Sequence, residues 1–112
     1  IDIAGPVGLP INASANGQVI QSERNDSYGN YIIIQHKYGF KTRYSHLDIR
    51  YVNAGDMVAQ GQQIGTLGNT GVSSGAHLDF QIMLGTEVLD PATFLTIKNE
   101  WLRWDGNRLG SE

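Results

Sequence analysis

The run Val52-Asn53-Ala54-Gly55-Asp56-Met57-Val58-Ala59-Gln60-Gly61-Gln62-Gln63-Ile64-Gly65-Thr66-Leu67-Gly68-Asn69-Thr70-Gly71 carries an interval of six residues. Val52, Val58 and Ile64 recur at that interval, and each is followed by a glycine turn. A helix would bring apolar residues back every three or four positions. Six, with glycine at the corners, describes short strands that bend sharply into one another. The run predicts an all-β domain, a flattened, barrel-like sandwich.

Outward from this run, β-branched and aromatic stretches punctuated by Gly, Asn and Asp predict further strands. They cover Gly17–Ser22, Asn30–His36, Phe40–His46, Gln63–Leu67 and His77–Met83. Residues 25–29 read as a loop and Lys37-Tyr38-Gly39 as a tight hairpin turn. Asp90-Pro91 opens the one short helical turn, near the C-terminus, with Asp90 as N-cap and Pro91 at the first helical position. Phe94, Leu95 and Trp101 are expected to pin that tail to the body.

The 112 residues suffice for one compact domain, 1–112, with no interdomain linker. Lys and Arg number 8 against 11 Asp and Glu, a net charge of −3 without a run of either sign. That excludes a nucleic-acid module, whose phosphate contacts need clustered cations. Hydrophobic residues at 40% supply a core, and 14 glycines, well above the ordinary share, supply tight turns. Cysteine is absent, which excludes disulfides and thiolate metal sites. No stretch is apolar for long enough to be a membrane segment or signal peptide. A start at Ile1, inside a patterned segment, reads as a piece of something longer.

With no Cys, chemistry rests on three histidines and their acidic neighbours. His36 ends an apolar strand beside a turn and is assigned a structural role. In Ala76-His77-Leu78-Asp79-Phe80-Gln81-Ile82, period two sends Leu78, Phe80 and Ile82 into the core. His77, Asp79 and Gln81 then line the other face, about 7 Å apart by strand rise. A loop of small residues, Gly71-Val72-Ser73-Ser74-Gly75, precedes the strand and leaves room for a ligand. Strand Phe40–His46 alternates Phe40, Thr42, Tyr44 and His46 against Lys41, Arg43 and Ser45, and places His46 at the sheet's lip.

Three motifs in order carry a resemblance: Tyr44-Ser45-His46-Leu47; the glycine-cornered run through Thr70-Gly71; and Ser74-Gly75-x-His77-Leu78-x-Phe80. Together with Ile1-Asp2-Ile3-Ala4, Gly8-x-Pro10, Ala15-x-Gly17 and the closing Leu89-Asp90-Pro91, they resemble the lysostaphin/LytM family of zinc metallopeptidases. The resemblance implies a barrel-sandwich hybrid, or duplicated hybrid motif, and enzymes that cut peptide cross-links of bacterial peptidoglycan. It implies a periplasmic or extracellular place in the cell envelope, and peptidoglycan peptides or an envelope protein as partners. By the same resemblance Asp2 is a zinc ligand and His46 and His77 are the catalytic histidines. Asp79 stands at the third ligand position, where the family has His. The first ligand His, and a first strand, would precede residue 1.

That exchange has a physical cost. Zinc hydrolysis needs three protein ligands, an open position and enough residual charge to lower the pKa of bound water. A carboxylate in place of imidazole adds negative charge and favours harder ions. The favoured expectation is a degenerate, non-hydrolytic regulator or scaffold, with little or no zinc. The alternative is an active or weakly active zinc endopeptidase. Biotinyl and lipoyl carriers share the glycine pattern but need a lysine on a hairpin tip in an apolar context, which Lys37 lacks. Glucose-type phosphocarriers pair histidines on a related fold but lack the His-Leu-x-Phe strand. Convergence of Asp2, His46, His77 and Asp79 on one groove, with Tyr44 and Ser74 on its rim, is the architectural expectation. A separation of His46 from His77 beyond about 15 Å, several strand spacings, would refute it.

Overall fold

The computed structural model describes residues 2–89. The expected helical turn at Asp90-Pro91 and the anchors Phe94, Leu95 and Trp101 lie outside them. Within this span the protein is all-β, as the glycine-cornered run predicts. Its strands are β1 (Asp2–Ala4), β2 (Pro10–Asn12), β3 (Gly17–Asn25), β4 (Gly29–Gln35), β5 (Phe40–Arg50), β6 (Met57–Val58), β7 (Gln63–Leu67), β8 (His77–Leu84) and β9 (Glu87–Leu89). All pairings are antiparallel, in the order β1-β8-β5-β4-β3-β6, with β7 branching from β5, β2 pairing with β7, and β9 pairing with β8.

Val52, Val58 and Ile64 are all buried, which explains the six-residue interval: each plants one apolar anchor between turns. Gly55 and Gly61 make those turns with φ of +98° and +83°, a region closed to most side chains. The anchors join Val19, Ile32, Ile34, Tyr44, Leu47, Leu67 and Leu78 in one core. The expected turn at Lys37–Gly39 is a single 3₁₀ turn with Tyr38 left-handed at φ 64°. Four strands escaped the sequence reading. β1, β2, β6 and β9 have two or three residues each, too few for alternation to register.

The organising strand is β5. From Phe40 to Ser45 it pairs with β8; from Leu47 to Arg50 it pairs with β7. His46 is the corner between the two partners, and its φ of 66° is left-handed. The two pairings part at this residue, and the face of β1, β5 and β8 beside it, the groove, carries Asp2, His77 and Asp79.

Candidate active site

The left-handed corner corrects the simple alternation of β5. Strict period two would put His46 on the face of Tyr44, which is buried in the core with its ring 5.3 Å from Phe80. Instead the corner turns His46 toward His77, and the two ring centroids stand 4.9 Å apart. Histidine is among the residues that adopt this conformation more readily than most. The same geometry corrects the expected rim: Ser74 is exposed, whereas Tyr44 lies on the core side.

Both imidazoles are fixed by backbone carbonyls. His46 Nδ1–H donates to the Thr70 carbonyl at 2.6 Å. His77 Nδ1–H donates to the Gly75 carbonyl at 2.7 Å, with Ser73 Oγ 3.0 Å away. A carbonyl only accepts, so Nδ1 carries the proton in each ring and Nε2 is left as an acceptor in the neutral form. Among the described residues neither Nε2 has a hydrogen-bond partner. That of His77 is 3.9 Å from Asp2 Oδ1. Such a pair can take a proton from a bound group and, once protonated, donate to developing negative charge.

The loops that hold the rings are locked to one another. The His46 amide donates to the Tyr28 carbonyl at 2.7 Å, and Val72 N–H to the Ser27 carbonyl at 3.0 Å. Thr70 Oγ1 donates to the Leu47 carbonyl and accepts from Asn30 N–H. Gly71, at φ +76°, passes so near Gly29 that a Cβ would meet that residue's nitrogen at 2.3 Å. The 68–76 loop is therefore a fixed wall.

Across the floor, register aligns Asp2 of β1 with Asp79 of β8, and Asp79 with Ser45 of β5. Arg43, one rung away on β5 opposite Gln81, shares this face. Its Nε–H donates to Ser45 Oγ at 3.0 Å, and its Nη2 reaches Asp79 Oδ2 at 3.5 Å. The guanidinium stacks 4.0 Å over the Tyr28 ring. Arg43 was legible only as a member of a polar face; its partner depends on β5 and β8 being neighbours, which no spacing reveals.

The third histidine is elsewhere. His36 is buried, with Nδ1 on the Asn16 carbonyl at 2.8 Å and Nε2 2.7 Å from Thr42 Oγ1. Thr42 continues to the Tyr44 hydroxyl at 2.9 Å, and Tyr44 to Ser14 at 3.0 Å. Burial pushes the Tyr44 phenol above its ordinary value, and the bonds to Ser14 and Thr42 pull it partly back. A separate cleft of about 470 Å³ opens beside Asn16, Lys37, Met57 and Gln62. The Asn16 and Gln62 side chains there close the 59–62 turn by accepting from Gln60 and Ala59 N–H.

The model of Peptidase family M23 matches residues 1–91. The chain belongs to that family. It is 42% identical over 92 residues to the peptidoglycan DD-endopeptidase ShyC of Vibrio cholerae, covering 82% of this chain and 21% of that protein. The catalytic domain of the antimicrobial peptidase lysostaphin from Staphylococcus simulans superposes with a TM-score of 0.80 at 33% identity, over 85% of this chain and 76% of that one. A zinc-containing peptidase from Vibrio cholerae superposes with a TM-score of 0.77 at 38% identity, over 80% and 28%. The chain spans between a fifth and about a quarter of the length of the first curated relatives it matches.

The Vibrio cholerae structural neighbour contains zinc, and a zinc centre needs three protein donors around one point. Among the described residues no three His, Asp or Glu side chains are gathered closely enough to hold an ion. Asp79 is turned onto Arg43, and the Asp2 side chain is 72% exposed. The described residues of this M23 chain do not fit that centre.

Proposed function

We propose that this M23 domain works in the bacterial cell envelope as a non-hydrolytic regulator or scaffold of peptidoglycan remodelling. The groove formed by β1, β5 and β8 is its binding surface, for peptidoglycan peptides or for an envelope protein. The observation that carries the reading is the Asp79 carboxylate. It stands where a zinc-ligating imidazole is expected and faces the Arg43 guanidinium at 3.5 Å. The similarity to peptidoglycan endopeptidases supports the substrate class and the compartment. A ligand His preceding residue 1 belongs to this proposal as the donor that the full-length protein would add beside Asp2.

A second reading, an active or weakly active zinc endopeptidase, is favoured by one feature. His46 and His77 keep their rings 4.9 Å apart with each Nδ1 fixed by a carbonyl and each Nε2 without a hydrogen-bond partner among the described residues. That arrangement suits proton transfer. The two readings separate in one experiment on the full-length protein. After dialysis against a mild chelator, zinc is measured by elemental analysis and cleavage is followed on purified peptidoglycan and oligoglycine peptides. The scaffold reading expects substoichiometric zinc and no cleavage above background. Cleavage that requires both zinc and His46 refutes it and establishes the second reading.

A further inference from the structure

Two carboxylates directly opposite on neighbouring strands repel each other unless a cation stands between or beside them. Asp2 and Asp79 are such a pair, in register across β1 and β8. Such a cation stands beside Asp79. Arg43 comes from β5, and its direction is fixed twice, by its Nε–H on Ser45 Oγ and by stacking on Tyr28. Its side chain is only 9% exposed, against 21% for Asp79. A guanidinium so placed remains charged under all ordinary conditions. Stripped of its carboxylate it would be a buried, unpaired charge, which folded proteins tolerate poorly.

We infer that Arg43 is the resident cation of the groove, holding the Asp79 carboxylate and keeping a divalent metal ion from taking it. The inference deepens the non-hydrolytic reading and rests on it. A metal ion approaching Asp79 must displace Arg43, whose charge stays beside it because stacking on Tyr28 and the bond to Ser45 tether the head group. Substitution at position 79 is thus half of the device, and Arg43 is the other half.

The test compares Co²⁺ and Zn²⁺ binding, by cobalt absorption and calorimetry, in the full-length protein and its Arg43→Gln, Arg43→Lys and Arg43→Gln/Asp79→Asn variants. Arg43→Gln should bind at least tenfold more tightly than the unaltered protein. Arg43→Lys, which keeps the charge, should recover most of the exclusion. The double variant should lose the gain, because the carboxylate is what Arg43 releases. Equal affinity of Arg43→Gln and the unaltered protein overturns the inference, and so does a gain that persists without Asp79. Should Arg43→Gln fail to fold, the pair is tested from the other side. Asp79→Asn should lower Tm, and Asp79→Asn/Arg43→Met, which leaves no buried charge, should regain most of the loss. Absence of that recovery also overturns the inference. Zinc-dependent cleavage by the unaltered protein would refute the non-hydrolytic reading by itself, whereas the role of Arg43 stands or falls on the difference between variants.

Discussion

Two polar clusters meet at strand β5, and each contains histidine. On the core side His36, Thr42, Tyr44 and Ser14 form an unbroken chain, with both ring nitrogens of His36 engaged by protein atoms. On the groove side His46 and His77 each have Nδ1 engaged by a backbone carbonyl, and neither Nε2 has a hydrogen-bond partner among the described residues. The residue type is the same, and the difference lies in how many of its donors and acceptors the fold claims. An imidazole satisfied at both nitrogens specifies the core. One satisfied at a single nitrogen has its tautomer set and keeps a site for chemistry or binding. The same rule separates Tyr44 from Asp79: the first is closed within the core, the second is shared between strand neighbours and the groove.

Truncation on each side separates the two clusters. Tyr44→Ala removes a large buried ring together with the hydroxyl that bonds Thr42 and Ser14, and should cost about 4 kcal/mol of stability. In thermal unfolding that is a fall in Tm of roughly 20 °C. His77→Ala, on the groove side, should change stability by less than about 1 kcal/mol while weakening binding of peptidoglycan peptides or of the envelope partner. If His77→Ala destabilises as much as Tyr44→Ala, the groove imidazoles belong to the structural framework and the distinction fails.

An intermediate effect is expected where the groove wall meets the sheet. Gly71→Ala forces a side chain into a left-handed position and against the Gly29 backbone. It should cost roughly 3 kcal/mol and disturb the His46–Thr70 bond. Two-dimensional NMR should show the shifts concentrated in residues 26–30, 46 and 68–76, with the Tyr44 cluster unmoved. Uniform shifts through the core would mean that wall and core form one unit.

How much of this was legible depends on the range of the interaction. Strand β7 was readable to the residue, and β8 to within one, because Leu78, Phe80 and Ile82 alternate cleanly with His77, Asp79 and Gln81. The convergence of His46 and His77 followed from motif order, yet the face of His46 did not. Alternation assumes an unbroken strand, and the left-handed corner that lets β5 change partners leaves no trace in apolar spacing. Arg43 and Asp79 are 36 positions apart, and their contact exists only through the pairing of β5 with β8. His36 was read as structural from its apolar surroundings, and the chain that holds it, through Thr42 to Tyr44 and Ser14, spans three segments that local pattern does not connect.

A milder consequence, on the core side, comes from the Tyr44 hydroxyl. The folded protein holds the Tyr44 proton more tightly than the unfolded chain does, since burial raises its pKa above 10.0. Below about pH 10 both states keep the proton, and the hydroxyl's contribution to stability is present in full. As pH rises past that value the unfolded chain ionises first, so stability falls, with a slope approaching about 1.4 kcal/mol per pH unit until the folded pKa is reached. Tyr44→Phe lacks the titrating group. It should lose about 1 kcal/mol at neutral pH, from the bonds to Ser14 and Thr42, and then show a flatter decline above pH 10. The measurement is Tm against pH for the unaltered protein, Tyr44→Phe and His77→Ala. The first and third should share one alkaline slope and the second should depart from it. An alkaline slope that Tyr44→Phe leaves intact would place the titrating group outside the Tyr44 cluster and overturn this account of it.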